Sequence, residues 1–341
     1  VLAALSGGVD SSVAAAIALE QGHDVVGATL KLWGGSQDSG CCSVGDVEDA
    51  RRVAQQLGIV HHVFNFTDDF EARVVSPYVT AHATGRTPNP CIECNRHLKF
   101  DRLLVRARQL GFDAVATGHH ARRRPAPGGG WRLLRGVDGA KDQSYVLYPL
   151  GQGPLGRVLL PVGEITKSEV RARAAALGLR TAAKPESQDT CFITTGGGRE
   201  AFLGDRIPLH PGRMVDRDGA DLGPVRAIEL LTVGQRRGLG SSGSRRYALA
   251  VDVEAATVTV GGADDLLVDR LALSEPTWVS GRPPAPGAAV EVQSSAHGRP
   301  TPGRWVGGEE VVLAAPRRRP APGQAVVLYA GDEVLGGGTA R

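Results

Sequence analysis

The chain carries Ser6-Gly7-Gly8-Val9-Asp10-Ser11-Ser12 directly after the apolar run Val1–Leu5 and directly before an alanine-rich helical pattern. Two glycines let a backbone approach a phosphate closely, and amides exposed at the start of the following helix supply donors where the helix dipole favours negative charge. Ser6, Ser11 and Ser12 add hydroxyls, and Asp10 could hold Mg²⁺ or order the loop. A plain strand-to-helix turn with a serine cap needs neither the double glycine nor three hydroxyls. No Gly-Lys-Ser/Thr follows, so this is not a Walker A loop. The segment reads as a pyrophosphate cradle.

The surrounding pattern supplies the frame for such a loop. Val1–Leu5, Asp24–Leu30, Val60–Phe66 and Ala114–Thr117 read as buried strands, alternating with helical stretches at Ser11–Gln21, Val44–Leu57, Asp68–Ala83 and His97–Leu110. That alternation predicts a parallel α/β sheet. Ser43, with Asp46 three residues on, predicts the N-cap of the second helix, and Gly58 its close. In open sheets of this kind ligands bind beyond the carboxyl ends of the strands, so the loops after Leu5, Leu30 and Thr117 should face one crevice. Pro125–Gly130 predicts a hairpin tip leading into Trp131–Arg135, and Lys167–Leu177 a helix ending at Gly178. Beyond about Thr194 the pattern changes to short β-like runs between Gly and Pro turns. This predicts a small mixed domain and then, from near Arg270, a small β-barrel or sandwich.

With 341 residues and a net charge of +3, the chain is long enough for two or three domains, and its charge permits nucleic-acid binding without demanding it. Arginine clusters at Arg122–Arg124, Arg236–Arg237, Arg245–Arg246 and Arg317–Arg319 read either as RNA contacts or as solvated loop charges. No apolar stretch approaches the ~20 residues that cross a bilayer, and no charged leader precedes the first strand. A cytoplasmic location with no membrane partner is expected. A start on an apolar strand residue suggests that a short N-terminal segment is missing.

Five cysteines are too few and too unevenly spaced for a disulfide scaffold, so their positions carry the information. Cys91 and Cys94 form a Cys-x-x-Cys pair in a turn-rich connection, at the start of a helix whose dipole would favour a thiolate. Cys191 lies far downstream in Ser187-Gln188-Asp189-Thr190-Cys191-Phe192-Ile193. Zinc held by these three with His119 or His120 is open by residue type, although no second Cys-x-x-Cys or paired-His motif is present. Cys41 and Cys42 read as loop or packing residues.

The loop Ser6–Ser12 resembles the PP-loop of the ATP pyrophosphatase superfamily, whose members split ATP to AMP and pyrophosphate to activate an oxygen as an adenylate. Gly85–Cys94, Thr117–His120, Lys141–Tyr145, Ser187–Ile193 and Gly234–Gly240, in that order, resemble the motifs of the tRNA 2-thiouridylase family. The resemblance implies an α/β protein with a PP-loop domain of adenine nucleotide alpha hydrolase type over 1–195, a small central mixed domain over 196–270 and a C-terminal β-barrel over 271–341. It implies ATP-dependent 2-thiolation of the wobble uridine in tRNAs for Lys, Glu and Gln. The sulfur would come from a cysteine desulfurase or a relay protein. Cys191 would carry the persulfide and Cys94 would be the partner thiol. Ala4, Leu5, Ser6, Gly7, Gly8, Val9, Asp10, Ser11, Leu30 and Gly118 would contact ATP. Asn89, Pro90 and Cys91 would border the target base, and His119, Lys141, Asp142, Gln143 and Gln324 would contact tRNA.

Two departures from the family pattern matter. Where many members have an aspartate this chain has Cys91, so any role of that carboxylate is lost. Cys91, Cys94 and Cys191 could instead ligate an iron–sulfur cluster with one iron left open. Gln293-Ser294 stands where members commonly have Arg-Tyr, with the Arg317–Arg319 loop a possible substitute. Two rival readings leave residues without work: a small-molecule synthetase of amidotransferase or argininosuccinate type, and a non-enzymatic RNA-binding sulfur-relay module.

Overall fold

The computed structural model describes residues 1–33, 43–186, 190–193, 197–239 and 245–341. Cys41, Cys42, Ser187–Asp189 and Gly240 therefore lie outside the described residues.

The first layer runs β1 (Leu2–Ala4), α1 (Val9–Glu20), β2 (Val26–Lys31), α2 (Val44–Gln56), β3 (His61–Asn65), α3 (Thr67–Phe70) and α4 (Ser76–Ala83). It continues through α5 (Pro90–Glu93), α6 (Leu103–Gln109), β4 (Val115–Ala116), the hairpin β5 (Ala121–Pro125) and β6 (Trp131–Arg135), α7 (Gln152–Leu155), β7 (Val158–Leu159) and α8 (Lys167–Ala176). Five strands pair in the order β3-β2-β1-β4-β7, all parallel. The chain winds outward from β1 to β3, then returns to lay β4 on the other side of β1. That reversal opens a crevice at the carboxyl ends of β1 and β4, where the Ser6–Ser12 loop and Gly118 both emerge.

Local signals account for several helix ends. Ser43 Oγ accepts from the Asp46 amide at 3.1 Å, and Gly58 takes the positive φ of 69° that a side chain would resist. Thr166 and Glu169 form a complete capping box on α8. The helix expected from His97 begins earlier, at Pro90, because Asn89 caps it by accepting from the Cys91 amide at 3.0 Å and proline is favoured in the first turn. Between α5 and α6 the residues Cys94–Arg102 wind as a π-helix.

After α9 (Gly198–Gly204), the strands β8 (Gly212–Val215), β9 (Asp221–Val225), β10 (Tyr247–Asp252) and β11 (Thr257–Gly261) form a small sheet in the order β10-β11-β8-β9. The remaining strands are β12 (Leu267–Trp278), β13 (Ala289–Gln293), β14 (Thr301–Gly307), β15 (Glu310–Arg318), β16 (Ala325–Ala330) and β17 (Glu333–Ala340). β12 pairs with both β15 and β17, which closes these strands into a barrel and removes their exposed edges.

The hairpin is not a free excursion. β6 pairs with β17, Leu134 opposite Glu333, so the first layer donates two strands to the barrel sheet. One apolar cluster accordingly joins Leu2, Phe70, Leu98 and Leu133 to Val327, Tyr329 and Val334. Burial of side chains of this size contributes about 1.5–3 kcal/mol each, so the barrel is fastened to the nucleotide layer rather than tethered by a linker.

Two arginine clusters are corrected here. Arg122–Arg124 lie on β5, where Arg122 pairs with Asp332, Arg124 with Glu164, and Arg123 stacks 3.8 Å from the Trp131 ring centroid. Arg317 and Arg318 lie on β15 rather than in a loop.

His82 on α4 is buried against the Tyr78 ring. Burial, with the charge of Arg199 second, pushes its imidazole down to about 4 from 6.5. The unfolded chain therefore takes the proton first. Stability tied to neutral His82 is complete above about pH 6.5 and is lost as pH falls toward 4. The urea midpoint should drop between pH 7 and pH 5 in the wild type and drop less in His82→Phe; equal losses in both would exclude this origin.

Candidate active site

The crevice is built from a loop that cannot carry larger residues. Gly7 has φ 72°, and a Cβ there would strike the Asp46 carbonyl at the start of α2. A Cβ on Gly118 would lie 2.5 Å from the Ser11 nitrogen and 2.7 Å from the Asp10 carbonyl carbon. The loops after β1 and β4 thus meet backbone to backbone. Ser11 Oγ accepts from the Ser6 amide at 3.1 Å and donates to the Gly8 carbonyl at 3.0 Å, and Ser12 Oγ donates to the same carbonyl at 2.8 Å. These bonds fix the turn from within. The first-turn amides of Val9, Asp10 and Ser11 have no intrahelical acceptors by the geometry of a helix start. They form the donor set an anion would meet.

Asp10 accepts from Lys167 Nζ at 2.8 and 2.6 Å, and its carboxylate lies 3.0 Å from His120 Nε2. Burial acts to raise its pKa, but the bonds from His120 and Lys167 outweigh that and hold it below the ordinary carboxylate value. Lys184 Nζ donates to the Gly7 carbonyl at 3.0 Å, to Asp46 at 2.7 Å and to Asp49 at 2.6 Å. Burial works against its charge, yet the two carboxylates raise its pKa. Lys184 thus stays charged beside the loop, and the Lys167 ammonium stands at Asp10 of the same loop.

The acceptor loop Gly85–Pro90 is gripped by the other two parts of the chain. Thr87 donates its amide to the Pro322 carbonyl at 2.8 Å and its hydroxyl to Thr232 Oγ1 at 3.2 Å. Its carbonyl accepts from Gln324 Nε2 at 2.5 Å. Asn89, Pro90 and Cys91 follow at the start of α5. Cys94 is buried in the apolar cluster and Cys191 packs against the same cluster. Its neighbour Phe192 is anchored among Trp33, Phe70, Tyr78 and Phe202, with centroids 6.2, 5.7, 5.4 and 5.1 Å away. Among the described residues no three His, Cys, Asp or Glu side chains group closely enough to hold a metal ion.

Of the residues expected on tRNA, Lys141 is partly exposed and pairs with Glu186 at 2.8 Å. Gln143 Oε1 accepts from the His120 amide at 3.0 Å. Asp142 is turned inward and accepts from Arg135, Gly136 and Ser144. Arg135 in turn donates to Gln293 at 2.9 Å and lies 3.6 Å from the Tyr329 ring centroid. The Lys141–Tyr145 string therefore ties the crevice to the barrel. His119 is buried, its Nδ1 2.9 Å from Thr117 Oγ1, and burial holds its pKa well below the usual value.

A family model described as "tRNA methyl transferase HUP domain" matches residues 1–195. Companion models described as "tRNA methyl transferase PRC-barrel domain" and "Aminomethyltransferase beta-barrel domain" match 200–262 and 268–340. The protein named tRNA-specific 2-thiouridylase MnmA in Roseiflexus sp. (strain RS-1) is 46% identical, covering 99% of this chain and 98% of its own. The proteins of that name in Thermobifida fusca and Mycolicibacterium smegmatis are 45% and 46% identical over 99% of this chain and 94% and 98% of theirs. The chain belongs to the tRNA-specific 2-thiouridylase family. The model descriptions speak of methyl transfer, but the relatives match from end to end under the thiolation name, and that match decides between the two. A 4-thiouridine synthetase–RNA complex with bound ATP superposes at a TM-score of only 0.38 and 20% identity, over 56% of this chain and 44% of that one, too distant a likeness to add to this.

Within this member of the family, Lys167, Lys184 and Glu186 are the site residues that sequence reasoning passed over. One signal was available. A lysine in the first turn of a helix sits where the dipole disfavours it, so Lys167 at the start of α8 needs a carboxylate partner. Where that partner stands, at Asp10, only the fold shows.

Proposed function

We propose that this protein activates the C2 oxygen of a tRNA wobble uridine as its adenylate and replaces it with sulfur carried on Cys191. The observation that supports this most is the backbone-to-backbone closure of the Ser6–Ser11 loop on Gly118, which leaves first-turn amides, Lys167 and Lys184 around one anion site. The C2 oxygen of uridine is a poor leaving group. Its attack on the α-phosphate of ATP forms the adenylate and expels pyrophosphate, whose charge the amides and lysines would stabilise. Mg²⁺ would arrive with the phosphates, and Asp10 supplies a carboxylate at the loop.

The sulfur route runs through thiols. A cysteine desulfurase or relay protein would load Cys191 as a persulfide. Attack by Cys94 on the bridging sulfur would give a Cys94–Cys191 disulfide and release hydrosulfide, which adds at C2 and displaces AMP. A reductant would then restore both thiols. Because the base must leave its stack to reach the crevice, the wobble nucleotide would be splayed toward Asn89, Pro90 and Cys91. The protein has no helix among the described residues long and apolar enough to cross a membrane.

The test is an anaerobic assay with unmodified tRNA, ATP, cysteine and a cysteine desulfurase, scoring AMP and 2-thiouridine. Thiolation should require ATP and fall by at least about 1,000-fold in Cys94→Ser and Cys191→Ser, the scale on which loss of a covalent nucleophile acts. AMP formed at full rate without tRNA would overturn the reading in favour of a small-molecule synthetase.

A further inference from the structure

The parallel sheet ends on one side in β3, which among the described residues pairs with β2 alone. The sheet's other end, β7, is only two residues long, whereas β3 runs for five. The Gly27 amide bonds to the Val60 carbonyl at 2.7 Å and the Phe66 amide to the Lys31 carbonyl at 2.9 Å. Peptide groups alternate in direction along a strand, so Val60, His62, Phe64 and Phe66 face β2. His61, Val63 and Asn65 therefore turn their N–H and C=O outward, and among the described residues no backbone group bonds to them there.

Edge strands usually carry a lysine, a proline or a bulge that discourages further pairing. β3 has none of these: it reads His61-His62-Val63-Phe64-Asn65 and its register with β2 is unbroken. Val63 is 49% exposed and Val60, just before the strand, 61%. A groove of about 410 Å³ lies along the strand, with Val63, Phe64, Phe66 and Val105 as its apolar lining and Arg102 and Arg106 as its cations. A second groove at the start of the strand is lined by Arg51, Gln55, Ile59 and His61. Neither lining includes a carboxylate. Arg102 is answered by Asp69 at 3.0 Å, but Arg51 shares Glu48 with Arg52, at 3.4 and 2.9 Å. Arg106 lies 5.6 Å from the Phe64 ring centroid and forms no ion pair among the described residues. The edge thus offers backbone donors and acceptors, apolar hollows and an excess of positive charge.

We propose that β3 is a docking edge for an extended acidic segment of a partner protein, which adds to the sheet as a further strand. Its backbone pairs with His61, Val63 and Asn65, its apolar side chains enter the grooves, and its carboxylates meet Arg51 and Arg106. Main-chain bonds give a strand added in this way its hold, and pockets for alternate side chains give it specificity. Charge decides between occupants: a second copy of this chain would set the same arginines against each other, whereas an acidic segment neutralises them. A nucleic-acid backbone has charge for the arginines but no N–H and C=O groups in strand register for the outward face of β3.

The probe is a synthetic peptide of alternating glutamate and valine, added to the full chain, with a lysine–valine peptide of the same length beside it. Fluorescence anisotropy reads affinity, and amide hydrogen exchange, followed residue by residue, reads pairing. The glutamate peptide should bind at least about tenfold tighter than the lysine peptide, since like charges at a contact are strongly disfavoured. It should slow exchange at His61, Val63 and Asn65 and leave Phe64 and Phe66, already bonded to β2, unchanged. Val63→Pro removes one outward N–H and none of the bonds to β2, the position at which an edge strand tolerates proline, and should abolish binding. Arg106→Glu should weaken binding at least about tenfold with the melting temperature unmoved, which keeps the test decisive where proline disturbs the strand. Absence of binding by the glutamate peptide, or undiminished binding in both variants, overturns the proposal, and equal affinity for the lysine peptide overturns its acidic partner. Sedimentation velocity of the chain alone covers the other occupant: a dimer that is lost in Val63→Pro would give the edge to a second copy and overturn the proposal as well.

Discussion

Replacing Gly118 by alanine should lower AMP formation by at least about 100-fold, the scale on which a misplacement of about 1 Å acts in a positioned reaction. The new methyl carbon would sit 2.5 Å from the Ser11 nitrogen and 2.7 Å from the Asp10 carbonyl carbon. Both are backbone atoms, so no side chain can swing aside to make room. The loops after β1 and β4 must separate, and the amides of the α1 first turn move with one of them. Overpacking of this kind also costs about 1–3 kcal/mol of stability. The control is Gly128→Ala at the hairpin tip, where a methyl group meets nothing within 4 Å. Pre-steady-state AMP release at a temperature where both variants are folded separates the two effects. A Gly118→Ala enzyme with the wild-type AMP rate would show that this contact does not shape the site.

Lys167→Met is expected to cost about 100- to 1,000-fold in AMP formation, comparable to the loss of a preorganised charge donor at other transition states. The substitution removes the ammonium nearest Asp10 and leaves that carboxylate with His120 alone. Asp10 would lose part of what holds its pKa down against burial. In the wild type, a folded pKa below 3.8 means that stability from ionised Asp10 is present above that value and is lost as pH falls through the folded pKa. In the variant this loss should begin at higher pH, so the acid limb of urea stability moves upward. Lys167→Arg should keep the limb near its wild-type position while only partly restoring rate, because a planar guanidinium cannot reproduce the compact ammonium shared by two carboxylates. An acid limb unchanged in Lys167→Met would exclude the assigned pairing.

Both predictions concern contacts between parts of the chain remote in sequence, and this divides what could be read from what could not. The Ser6–Ser12 loop was legible because its chemistry is local: two glycines, three hydroxyls and a helix start within a few residues suffice to define an anion cradle. The same holds for the Ser43 cap and for the glycine that closes α2, since each is a bond between near neighbours. Asn89 as the cap of α5 is equally local, since its side chain accepts from the amide of Cys91 two residues on.

The sequence by itself determined the parallel strand-helix alternation, the anion loop between β1 and α1, and the barrel pattern of the last strands. Each follows from periodicity or from residues that touch their own neighbours. Only the tertiary structure decided that Lys167 answers Asp10 across 157 positions and that Gln324 holds Thr87 across 237. It likewise decided that the hairpin after β4 is completed by β17. The physical reason is that a charge or an amide states its need for a partner but not the partner's position. That position is set by how sheet, hairpin and barrel pack around one shared core.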